Sequence, residues 1–161
     1  MSDNENLNQY TQLLYYIKEQ GEADTYINSI TKNIDELELD KITIYPLLNI
    51  DISRASLPSE GTISFSVDLS CWAIRDINPE VNTDKFWRQD NEVDNLNGTL
   101  ASLNRLWKIL KRDLNNNNIT ASEAPTLESL RFSKNNLLDG WNMSFDVEMP
   151  NVAISLCDGC E

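Results

Sequence analysis

The residues with chemical content in this chain are a pair of thiols and a group of cations. Cys157-Asp158-Gly159-Cys160 spaces two thiols as a CxxC. That pattern serves as a dithiol redox pair or as half of a zinc site. A structural zinc takes four ligands, and the chain offers one further cysteine, Cys71, and no histidine. Cys71 falls in phase with the apolar face of a strand, and a redox pair is expected to open a helix behind a strand. The plainer reading is a frayed terminal turn, or Cys157 packed as a small hydrophobe. The lack of histidine removes His-based triads, HExxH zinc sites and imidazole bases. Carboxylates are scattered, densest at Asp35, Glu36, Glu38 and Asp40, and nothing pairs them with a nucleophile, a base or a phosphate loop. The glycines Gly21, Gly61, Gly98, Gly140 and Gly159 are isolated, so no phosphate-cradling loop is present. The expectation is a protein with no catalytic group, no cofactor and no metal: not an enzyme.

The cations are more informative. Arg105, Lys108 and Arg112 stand at i, i+3 and i+7 with Lys111 beside them, within a chain of only 13 Lys+Arg against 26 Asp+Glu. One reading is a solvated face whose cations complement the C-terminal end of a helix dipole. The sharper reading is a flank that docks on an acidic surface. In a protein of net charge -13 an identical subunit is the nearest candidate. The same charge argues against gripping a nucleic-acid backbone, which needs clustered Lys and Arg. Trp72, Phe86, Trp87 and Trp141 stand outside the clear core pattern, and aromatics gathered in this way are enriched at protein interfaces. Trp87 joins Arg105, Lys108, Lys111 and Arg112 as a candidate subunit-interface residue.

The elements that position these groups follow from periodicity. Leu7, Tyr10, Leu14 and Ile17, broadened by Leu13, predict an N-terminal helix that stops at Gly21. The stretch from Asp24 to Asp40 is mixed, a short strand or an irregular lead. Ile42, Ile44, Leu48, Ile50 and Ile52 keep a period of two, interrupted by Pro46, which makes an edge strand or the start of one. Residues 54–61 are rich in turn formers and predict a connecting loop. Ile63, Phe65, Val67, Leu69 and Cys71 alternate with Ser64, Ser66, Asp68 and Ser70, a strand with one buried and one wetter face. A polar segment, residues 75–91, reads as a long loop. Val93, Leu96, Leu100, Leu103, Trp107, Leu110 and Leu114 form a single seam on a helix from about Asn91 to Leu114. Leu127, Leu130 and Phe132 mark a further extended or short helical piece. Trp141, Met143, Phe145, Val147 and Met149 alternate along a last strand ended by Pro150. Runs of each element type, without strict alternation, argue an α+β fold. Its mostly antiparallel sheet is covered on one face by the N-terminal helix and the long amphipathic helix.

The length of 161 residues suits a single domain, 1–161, with residues 151–161 as a C-terminal arm. No apolar run approaches the roughly 20 residues that span a bilayer, and the polar, acidic start has no signal-peptide pattern. Synthesis in a reducing cytoplasm, without a membrane partner, is expected.

Several of these segments, taken in order, are similar to a known family. The N-terminal helix is followed by Ile44-Tyr45-Pro46-Leu47-Leu48-Asn49-Ile50, then by the long amphipathic strand from Ile63 to Asp76, then by a helix with the seam Leu100-Leu103-Trp107-Leu110. The stretch from Leu137 to Asn151, with Gly140-Trp141 stepping into Met143-Ser144-Phe145-Asp146-Val147-Glu148-Met149-Pro150, carries the likeness furthest. In this the chain resembles the tail terminator, or tail completion, proteins of long-tailed bacteriophages, the lambda-type group among them. The resemblance implies an α+β subunit that closes into a ring, a hexamer, on the head-proximal end of the tail tube in the virion. There it would stop tube polymerisation and join the tube to the neck. Its partners would be itself, the tail tube protein and a neck or head-completion protein, with DNA passing through the lumen without specific binding. A neck or head-completion connector is the alternative within that class, and a small CxxC zinc or thiol protein the alternative outside it.

Overall fold

A computed structural model describes residues 9–32, 45–76, 86, 91–116, 119–133 and 138–151. The elements in chain order are α1 (Gln9–Ala23), β1 (Ser29–Thr31), β2 (Leu47–Ser59), β3 (Thr62–Ile74), α2 (Glu92–Asn116), β4 (Thr120–Ala121), β5 (Thr126–Ser133) and β6 (Leu138–Pro150). The six strands form one sheet in the order β1-β2-β3-β6-β4, with β5 also paired to β6. All pairings are antiparallel except β1 with β2. β3 and β6 pair along their full lengths from Thr62↔Pro150 to Ile74↔Leu138. β4 and β5 therefore share the other edge of β6. The fold is α+β with a mostly antiparallel sheet, as the sequence pattern indicates.

Alternation sets the two faces. Leu48, Ile50, Phe65, Val67, Leu69, Cys71, Met143, Phe145, Val147 and Met149 are buried on one face, where Leu13 and Ile17 of α1 and Leu103, Leu106, Leu110 and Leu114 of α2 complete the core. α2 lies across β3 and β6, and α1 over β2. The register puts Ser64, Ser66, Asp68 and Ser70 of β3 on the opposite face, beside Asn142, Ser144, Asp146 and Glu148 of β6. At one end of that face Trp72 is buried in a second apolar cluster with Tyr45, Leu47 and Leu138. Trp72 is thus on the polar side of its strand but packed.

Several boundaries differ from the sequence reading. α1 does not stop at Gly21. It runs to Ala23, and Gly21 is buried where an added Cβ would meet Ile30 Cδ1 and Leu48 Cδ2, each at 2.8 Å. The glycine serves close packing of helix on sheet, while Tyr10 lies outside the core. Residues 54–61 are not a loop, because β2 continues to Ser59 and a tight hairpin brings Ser59 opposite Thr62. The cross-strand ladder with β3 outweighs the turn-forming composition. Two register shifts, at Ile52/Arg54 and Ser56/Ser59, absorb the extra residues, Pro58 among them. On α2, Val93 leaves the seam at 50% exposure, and Asn95, Thr99, Ser102 and Leu106 take buried positions. The buried stripe is therefore rotated and more polar toward the helix start. The segment at Leu127 and Leu130 is strand β5. Of the 75–91 stretch, Arg75 is buried, not looped out, and Phe86 is 81% exposed. Trp87, the acidic group at 35–40, and the 152–161 part of the C-terminal arm with its CxxC lie outside the described residues.

Candidate interaction surfaces

The cationic flank of α2 begins with Arg105. Its Nε and Nη2 donate to the two Asp24 oxygens at 2.9 and 3.0 Å, tying α2 to the segment after α1. Burial pushes the Asp24 carboxyl up, but the Arg105 guanidinium and the Tyr26 amide outweigh it and hold the group below its ordinary value. Arg112 donates to Asp113 on the neighbouring position at 2.8 Å. Asp113 in turn accepts from the Tyr16 hydroxyl of α1 at 2.5 Å. Arg112 first and Tyr16 second hold the Asp113 carboxyl down, while burial and Asp113 push the Tyr16 hydroxyl up. Lys111 sits over the Trp107 ring at 5.7 Å and donates to the Glu123 carbonyl at 3.3 Å. Lys108 is exposed and has no ion pair among the described residues. The four cations lie along one helix, yet Arg105 and Arg112 already hold carboxylates of the same chain. The last turn of α2 contains no basic residue, because the helix extends past Leu114 to Asn116. Complementation of the helix dipole, which fades beyond the terminal turn, therefore explains little of this flank.

The uncovered sheet face is a second surface. Ser66 donates to Asp146 and Ser70 to Asn142, both at 2.8 Å, and Ser144 donates to Asp68, which also accepts from Ser53. Each link joins neighbouring strands, so the hydroxyls and carboxylates stand as a fixed ladder. Arg54, Ser66, Asp68, Ser144 and Asp146 line a hollow of about 380 Å³. The strand register adds Asp51, Glu128 and Glu148 to this face, with Arg54 as its cation among the described residues.

A third group is internal. Arg75 reaches Asp139 through Nε and Nη2, both at 2.7 Å, and Glu92 at 3.0 Å. The side chains of Arg75 and Asp139 are both fully buried. This pair locks the end of β3 to the start of β6 and to the first turn of α2, where Asn95 donates to the Ile74 carbonyl at 2.8 Å. Cys71 is buried beneath α2, and burial followed by the Asp24 charge pushes its thiol up to about 12. That thiol is unreactive at neutral pH. Among the described residues no group of His, Cys, Asp or Glu is arranged to hold a metal ion, and no helix there is long and apolar enough to cross a membrane.

Sequence reasoning found the cations but missed the ladder across the open face and the partners of Arg105 and Arg112. The Ser/Asp alternation was visible in each strand. Which strands lie side by side depends on topology, which spacing does not encode. No protein-family model matches the chain, and no curated protein matches it.

Proposed function

We propose that this chain is a non-catalytic subunit of the phage head–tail junction. In this reading it is a tail terminator whose copies close into a ring, a hexamer, on the head-proximal end of the tail tube. The observation that carries the reading is the sheet with helices on one face and a hydroxyl-and-carboxylate ladder on the other. Asp51, Asp68, Asp146, Glu148 and Glu128 give that uncovered face a negative sign. A ring that turned it inward would present like charge to DNA, so the polymer would pass without being gripped. The resemblance of the segment from Leu137 to Asn151 to tail terminators supports the same reading. The side chains serve structure and contact. Arg75–Asp139 stiffens the base of α2, Arg105–Asp24 holds its flank, and Lys108 and Arg112 offer charge to a neighbour. The protein acts in the virion, with the tail tube protein and a neck or head-completion protein as its other partners.

The test combines native mass spectrometry with tube assembly. The expected result is a ring species that binds one end of preformed tail tubes and halts their growth when added during polymerisation. A strictly monomeric protein at high concentration, with no affinity for tubes, would sink the proposal. Labelling within intact particles separates a terminator at the tube end from a head-completion connector at the portal.

A further inference from the structure

Among the described residues the sheet ends in two open edges. β1 covers β2 only from Leu47 to Asn49, so among the described residues nothing pairs with the outer edge of β2 from Asp51 onward. On the far side, β5 pairs with β6 through one edge, and no described residue pairs with its other edge. Open edges of this length are templates for strand addition, which proteins normally cover or shorten. Each edge also carries an exposed leucine, Leu57 at 68% on β2 and Leu127 at 38% on β5. The two edges differ in sequence and lie at opposite ends of one sheet. Contact between them is therefore heterologous, the type that generates rings when rotation closes.

We infer that β2 of one copy pairs with β5 of the next, so that a single sheet continues around the ring. This inference rests on the ring reading above and names its seam. Its polarity follows from the topology. β2, β3, β6 and β5 alternate in direction across the sheet. Cyclic symmetry preserves strand direction, so β2 meets the neighbouring β5 antiparallel. Register follows from face and charge. Arg54 and Glu128 both belong to the uncovered face, Arg54 opposite Ser66 and Glu128 opposite Asn142. Setting Arg54 against Glu128 pairs opposite charges across the seam. It also places Ala55 beside Leu127 and Ser56 beside Thr126, each on matching faces, with Leu57 diagonal to Leu127. Pro58, which has no N–H to donate, ends the ladder. The seam keeps the carboxylate face continuous from subunit to subunit, as an acidic lumen requires.

Engineered disulfides in the full chain test the seam, with Cys157 and Cys160 changed to serine. Two pairs are used, Ser56→Cys with Thr126→Cys and Ala55→Cys with Leu127→Cys. Successive antiparallel positions alternate between hydrogen-bonded and non-hydrogen-bonded sites, so the two pairs sample both. Mild oxidation of either double variant is expected to give a ladder of covalent oligomers ending at the ring, while each single variant stays uncrosslinked. Leu57→Lys and Leu127→Lys, both at exposed positions, are expected to abolish the ring with the melting temperature retained. An intact ring in both lysine variants, with neither pair crosslinking, overturns the seam and leaves the ring reading standing. Crosslinked dimers from Ser56→Cys alone overturn it in favour of a two-fold contact. A crosslinked ring that fails to bind tail tubes supports the seam and removes the terminator reading.

Discussion

Arg75 and Asp139 form an ion pair whose two side chains are both fully buried. The two charges compensate one another at 2.7 Å, and neutralising Asp139 removes the bidentate partner of a buried guanidinium whose remaining ion pair, with Glu92, is partly exposed. Asp139→Asn should therefore lower unfolding free energy by about 3–5 kcal/mol, read as a lower denaturant midpoint at unchanged slope. Arg105–Asp24 is a milder case, since half of the Arg105 side chain is exposed. Because the folded Asp24 value is depressed, its contribution is present above the ordinary carboxylate range and lost as pH falls through the folded value. Arg105→Gln should cost about 0.2–1 kcal/mol near neutrality. The gap from wild type should close as pH drops below about 4, and equilibrium unfolding at stepped pH measures it. A gap that widened in acid would contradict the pairing.

Helix α2 shows how far periodicity reaches. The Leu103 and Leu110 positions of its seam are buried, but Val93 is not, and Leu106, outside that seam, is buried beside them. Leu103→Ala should cost about 2–5 kcal/mol, whereas Val93→Ala should stay within about 0.5 kcal/mol; thermal and chemical unfolding of both variants distinguishes them. Strand β6 adds a steric case. A Cβ on Gly140 would lie 1.8 Å from the Cys71 carbonyl oxygen, a backbone atom that cannot give way. At Gly21 the obstacles are side-chain methyl groups, which can move. Gly140→Ala should therefore abolish folding or soluble expression, while Gly21→Ala should fold with a lowered melting temperature. The strands at Ile63–Cys71 and Trp141–Met149 were legible because each buries one face. The continuation of β2 through Arg54–Ser59 was not, because ladder pairing with β3 overrides Ser, Pro and Gly propensity there. The partner of Arg105 was equally hidden, since Asp24 stands 81 positions away in sequence.

A subunit of net charge -13 approaches copies of itself against its own field. Any contact that brings a cation to a neighbour offsets part of that repulsion, and on the α2 flank Lys108 is exposed and makes no ion pair among the described residues. Arg105→Glu is a poor probe of assembly because it also breaks the pair with Asp24, so a loss of association would mix with a loss of stability. Lys108→Glu avoids this, since its side chain is exposed and a surface change of this kind should leave the melting temperature within the usual small range. It makes each subunit more negative and removes the attraction from the flank. Association should weaken most at low ionic strength, where about 0.01 M salt leaves a screening length of roughly 30 Å. At about 1 M, with the length near 3 Å, the variant and the wild type should assemble alike, because a sheet seam made of backbone hydrogen bonds does not depend on long-range charge. Sedimentation or native mass spectrometry across that salt series is the measurement. Equal assembly of both proteins at low salt would remove the α2 flank from the interface and leave the sheet edges to hold the ring.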